Sequence, residues 1–195
     1  MYLHRKLENK GNFFRKIKDL DFILLACILL LGFISLATMY STDSGEVLFH
    51  TRSHFTKFVI FTLLMLFISF FNIRFWFSIG YLSYLIIIVM LIYTINFGII
   101  VSGSQRWIDL YFLNIQPSEL MKIFIILCLA KFFHRKRLDN VNSFYSVVIS
   151  LIIIFLPMSL VIIQPDLGTS LLISISGIVV LWFAGLNHKY FFYSF

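Results

Sequence analysis

Apolar residues fall along this chain in six blocks, separated by short polar segments. The blocks cover about residues 22–40, 55–71, 75–95, 117–133, 144–163 and 166–186. Roughly twenty apolar residues span about 30 Å of hydrocarbon as a helix, and the fourth block is short by that measure. No segment alternates with the period of two that marks a strand. The pattern predicts an all-α, polytopic helical membrane protein with about six transmembrane helices. Residues 1–20 read as a basic tail, and residues 21–195 as one helical membrane domain. The basic start has the form of a signal-peptide leader. Its apolar block, however, exceeds the usual ~7–15 residues and more spans follow, so a retained span is expected.

Composition strengthens the membrane assignment. The chain is 60% hydrophobic and 13% charged, with mean hydropathy +0.94, against about half and a quarter in soluble domains. The net charge of +7 suggests an acidic partner. The cations flank apolar blocks, however, as they do when they orient membrane proteins, which argues against nucleic acid. If six helices alternate, the N-terminal tail, Arg74, residues 131–137 and Lys189 share one side. That side is cytoplasmic by the positive-inside rule, and the opposite loops hold mainly Arg52 and Arg106. Residues 41–54 read as a polar linker containing Asp43 and Glu46. Cys27 and Cys128 lie inside apolar blocks without ligand spacing and read as packing residues. His50 and His54, four apart, read as a solvated or interfacial pair rather than a metal site.

The long polar interruption, residues 102–122, concentrates the charge. Arg106 carries a fork of donors suited to phosphate or carboxylate, and Trp107 beside it suits the interface. The two could simply anchor a loop, or Arg106 could capture a phosphate-bearing lipid; Asp109 is a candidate partner for Arg106. Gln116-Pro117-Ser118-Glu119 is a helix start, with Glu119 placed to complement the positive helix end. Lys122, three residues on, shares its face and lies within ion-pair reach. Such a pair inside an apolar block must face protein or a wet cavity, as a buried structural pair or as part of a site. Gln164-Pro165-Asp166 repeats the helix-start pattern on the same membrane side, and Gly168 would allow close backbone approach. Asp166 could cap its helix or join Arg106, Glu119 and Lys122 in one polar cavity. No metal-ligand cluster, nucleophile triad or phosphate-binding Gly loop is visible, and no cofactor is implied by these residues.

Three ordered segments resemble the RodA/FtsW family of shape, elongation, division and sporulation membrane proteins. They are residues 103–110 (GSQRWIDL), residues 116–120 (QPSEL) with Lys122, and residues 164–170 (QPDLGTS). Leu20-Asp21, Met39-Tyr40-Ser41, Gln105 and Asp109 lean toward the RodA branch. The resemblance implies polymerisation of lipid II into glycan strands outside the bacterial cytoplasmic membrane, in cell-wall elongation and shape control. It implies a class B penicillin-binding transpeptidase and the elongation machinery as partners, and it allows a divalent cation. Arg106 would meet the substrate pyrophosphate. Glu119, Lys122 and Asp166 would line the central cavity, with Gln164 supporting its rim.

Several features depart from that family. Its members have about ten spans, and its expected catalytic acid lies in a loop after the seventh, beyond these residues. Tyr111 stands where Gly is common, and Asn114 where a basic residue is frequent. The chain therefore resembles the N-terminal portion of a RodA-like protein and carries no catalytic residue of its own. It is expected to be inactive alone, and to come from a split gene, a decayed gene or truncation of a longer chain. A lipid II flippase and a non-catalytic remnant of the family are the alternative functions.

Overall fold

The computed structural model describes residues 20–43, 48–101, 103–110, 114–134, 136 and 138–187. Tyr111, the N-terminal basic tail and Lys189 lie outside them. The chain divides into two compact units, Met1–Asn72 and Ile73–Phe195.

In the first unit, α1 (Phe22–Thr42) and α2 (Phe49–Ser69) form an antiparallel hairpin. Asp21 starts α1 by accepting the Ile23 and Leu24 amides at 3.0 Å, two donors that a helix start leaves without partners. Contacts then step along the pair: Asp43 with Thr51, Ser35 with His54 at 2.8 Å, and the Phe58 ring over Gly32. The second helix begins at Phe49, earlier than the hydropathy pattern suggests, so His50, Thr51, Arg52 and His54 are helical rather than linker. The physical reason is remote capping. Leu48 at the N-cap has no side-chain acceptor, and Asp43 Oδ2 takes the Thr51 amide at 3.0 Å and its hydroxyl at 2.6 Å.

The second unit contains α3 (Ile73–Phe97), β1 (Ile99–Val101), β2 (Ser104–Asp109), β3 (Asn114–Ile115), α4 (Pro117–Phe133), the short α5 (Leu138–Val141), α6 (Phe144–Ile163) and α7 (Leu167–Phe183). Leu91, Met121, Ile125, Leu129, Ile154, Val161 and Ile173 are buried between its helices. Small residues bring those helices close, as lipid-embedded packing requires. A Cβ at Gly80 would stand 3.2 Å from the Leu127 carbonyl, and one at Gly177 only 2.6 Å from Ile154 Cγ1. Pro157, buried inside α6, has no N–H for the Ile153 carbonyl. The Tyr84 hydroxyl of α3 donates to that carbonyl at 2.9 Å instead.

Polar groups close both ends of this bundle. At one end Lys131 donates to the Ser78 carbonyl, Lys136 to Ser146 Oγ, and Asn142 to the Gly185 carbonyl. The other end gathers the end of α3, the start of α4, the end of α6 and the start of α7 beneath a small sheet. That sheet is a departure from the expectation of no strands. It is antiparallel, ordered β1-β2-β3, with Val101 opposite Ser104 and Ile108 opposite Ile115. Gly103 turns the first hairpin at φ +79°, a conformation that favours glycine. The strands are too short for alternation to register as a pattern.

Among the described residues, α1, α2, α3 and α6 are long and apolar enough to cross a membrane. With α4 and α7, 17 residues each and roughly 25 Å long, six helices build a polytopic helical membrane fold. Their exposed surface is mainly Leu, Ile, Val and Phe, as lipid contact requires; helices satisfy their own backbone there.

Candidate ligand-binding site

The site is assembled on the sheet-covered end of the second unit. In β2, alternate residues share a face, so Ser104 and Arg106 lie together. Arg106 Nε donates to Ser104 Oγ, and its Nη1 lies 3.0 Å from Asp166 Oδ2. The guanidinium is thus held at two points while the side chain stays 27% exposed. Asp166, only 8% exposed at its side chain, caps α7 by accepting the Thr169 amide on Oδ1 at 3.3 Å. It thus caps its helix and meets Arg106, while Glu119 and Lys122, the other residues expected in a shared cavity, pair with each other. Burial pushes the Asp166 carboxyl up, but hydrogen bonds from Thr169 and Arg106, with the Arg106 charge, outweigh it and hold the group below the usual carboxylate range.

Gln116 joins the same oxygen. Its Nε2 donates to Asp166 Oδ2 at 3.1 Å, although the residue reads from sequence only as a helix start. Gln164 is placed deeper than a rim residue. It is 3% exposed, with Nε2 donating to Thr94 Oγ1 at 2.9 Å and to the Leu91 carbonyl at 3.1 Å. A carbonyl only accepts, so Leu91 fixes which way the amide faces. Gln164 Oε1 and Ser118 Oγ are then buried without a hydrogen-bond partner among the described residues.

Glu119 and Lys122 form their own ion pair, Nζ lying 2.8 Å from both carboxylate oxygens. Glu119 is 52% exposed and Lys122 26%, so this pair faces an open surface rather than the core. Of the five residues singled out from sequence, the structure brings Arg106 and Asp166 into direct contact, pairs Glu119 with Lys122, and ties Gln164 to α3. Ser104, Gln116 and Thr94 were missed. Ser104 is two residues before Arg106, which is the signal of a shared strand face. Thr94 has no local signal, because its partner lies on α6. Gly168 meets nothing within 4 Å of an added Cβ, so the close backbone approach expected there is absent.

No group of three or more His, Cys, Asp or Glu stands together among the described residues. Asp166 is engaged by Arg106, and Glu119 by Lys122. These residues do not fit a divalent-cation site. His54 turns to Ser35, and His50 packs edge-on against Phe49.

The FtsW/RodA/SpoVE family, described as "Cell cycle protein", matches residues 18–195. A peptidoglycan glycosyltransferase MrdB of Escherichia coli is 42% identical over 106 residues, 54% of this chain and 28% of the relative. A probable peptidoglycan glycosyltransferase FtsW of Buchnera aphidicola subsp. Baizongia pistaciae is 31% identical over 170 residues, 85% of this chain and 44% of the relative. The chain spans less than half the length of either relative. In fold it is similar to Thermus thermophilus rod shape determining protein RodA, with TM-score 0.73 and 24% identity over 88% of this chain and 55% of that one. A chain of a peptidoglycan synthase complex, described for its coordination of polymerization and crosslinking, gives TM-score 0.77 at 22% identity over 89% of this chain and 50% of that one. The fold, the three polar segments and the family match agree: this chain belongs to the FtsW/RodA/SpoVE family.

Proposed function

We propose that the chain is part of a RodA-type peptidoglycan glycosyltransferase, a lipid II polymerase of cell-wall elongation and cell-shape control. In this reading it lies in the bacterial cytoplasmic membrane with its N-terminus cytoplasmic. The relatives named as peptidoglycan glycosyltransferases support the reaction class. The neighbour described for polymerization and crosslinking supports a class B penicillin-binding transpeptidase as partner. One observation carries the assignment of the site: Arg106 is fixed on β2 through Ser104 and paired with Asp166, yet remains a quarter exposed at the polar end of the bundle. Preorganised cations of this kind suit the charge that develops on a departing pyrophosphate.

Asp166 and Glu119 are poorly suited to act as the base. A general base works best with a pKa near the operating pH, whereas Asp166 is held below the usual carboxylate range and Glu119 is paired to Lys122. The described residues therefore bind and orient the lipid diphosphate, and the base comes from the loop that the family resemblance places beyond residue 195. Lys122 contributes a second cation, and Gln164 holds α3 and α6 together behind the site.

The test is to reconstitute the 195-residue chain in nanodiscs with labelled lipid II. Binding without polymer is expected, and Arg106→Ala should weaken that binding about tenfold, as loss of a charge-assisted contact does. Glycan polymer made by these residues alone would refute the division between binding and turnover. Lipid II that crosses vesicle membranes unconsumed would favour the flippase alternative.

A further inference from the structure

Asp166 Oδ2 is a shared acceptor: Arg106 Nη1 lies 3.0 Å away and Gln116 Nε2 3.1 Å away, while Oδ1 caps α7. Gln116 occupies the N-cap position of α4, but its side chain makes no capping bond there. Side-chain capping is the habit of Ser, Thr, Asp and Asn; the longer Gln116 side chain instead crosses to the start of α7. A carboxylate oxygen with two donors stays satisfied when one of them leaves. Arg106 is anchored independently through Nε to Ser104, so Nη1 can change partner without freeing the side chain. A diphosphate oxygen offers a guanidinium the same kind of acceptor as a carboxylate oxygen.

We propose that Asp166 is the resident counter-ion that the ligand's diphosphate displaces from Arg106, with Gln116 as the positioning residue that holds Asp166 in place through the exchange. This rests on Arg106 being the phosphate donor, as read above. The consequence is opposite to that of an acid lining a binding cavity. Asp166 competes with the ligand, so removing its charge tightens binding. Gln116 draws on the same oxygen as Arg106 and weakens the competition, and it acts on the ligand only through Asp166.

The experiment titrates the full 195-residue chain in nanodiscs with a polyprenyl diphosphate, using the matching polyprenyl alcohol as reference. Asp166→Asn keeps a good helix cap and should tighten diphosphate binding roughly three- to tenfold, as expected when a part-buried ion pair stops competing. Gln116→Ala should loosen it roughly twofold in the native background and change nothing in the Asp166→Asn background. A merely structural Gln116 would act equally in both, and that result overturns its positioning role. Unchanged or weaker diphosphate binding by Asp166→Asn overturns the counter-ion exchange. Arg106→Ala separates the two levels: if diphosphate preference survives it, the reading of Arg106 fails and the exchange falls with it. If Arg106→Ala abolishes the preference while Asp166→Asn fails to tighten binding, the exchange alone is wrong. Should Asp166→Asn not fold, Gln116→Glu places a second carboxylate beside Arg106 and must weaken diphosphate binding; unchanged or tighter binding overturns the proposal.

Discussion

Arg106 and Asp166 show how one ion pair can bind a loop to a bundle while staying partly wet. A part-buried pair of this kind is weak evidence for stability, because desolvation offsets much of the Coulomb gain. Its stronger consequence is a pH dependence. Asp166 has a folded pKa below its unfolded value, as does Asp43, which is lowered by the side-chain and backbone hydrogen bonds of Thr51. Each contributes stability that is fully present above the unfolded value of about 3.9 and is lost as pH falls through the folded value. Thermal stability of the detergent-solubilised chain should therefore drop below about pH 4. Asp166→Asn should make that drop shallower; an unchanged acid limb would contradict the pairing. The residue types at Arg106 and Asp166 were legible as candidate chemistry. Their contact was not, because Asp166 could equally have capped its helix and nothing more.

At the scale of elements, the clearest coupling is between α3 and α6. Pro157 interrupts the α6 ladder, and Tyr84 supplies from α3 the donor that the Ile153 carbonyl lacks. In hydrocarbon no water can take that role, so an unpartnered carbonyl costs more than the modest net value of an ordinary hydrogen bond. Tyr84→Phe should destabilise the chain by about 1–3 kcal/mol, measured by reversible unfolding in micelles. The loss should shrink when Pro157→Ala restores the backbone donor; an equal loss in both backgrounds would show that the hydroxyl serves something else. The limits of α4 and α6 were readable because Pro117 marks the start of the one and an unbroken apolar run marks the other. The start of α2 was not, since the cap that extends it comes from Asp43, eight residues before Thr51. The sheet was likewise hidden, for its strands of two to six residues take their pairing from the helices they bridge rather than from a pattern of their own.

For the whole molecule, the placement of charge makes a topology prediction. With Cys27 and Cys128 replaced by Ser and Ala, Asn140→Cys should react with a membrane-impermeant thiol reagent only from the cytoplasmic side, and Leu110→Cys only from outside. Labelling of both from one side would contradict the alternation of α4 between the two polar ends. The sequence by itself determined the six apolar helices, their approximate limits, the family and the polar segments between them. Bilayer thickness and the cost of lipid-exposed charge leave a direct mark on composition and block length. Tertiary structure alone decided the partners: Asp166 and Gln116 with Arg106, Gln164 with Thr94, and Glu119 with Lys122 facing open space instead of the core. Most of these are contacts between separate elements. They depend on how close α3, α4, α6 and α7 can pack, which Gly80, Gly177 and the buried serines set together and no single segment encodes.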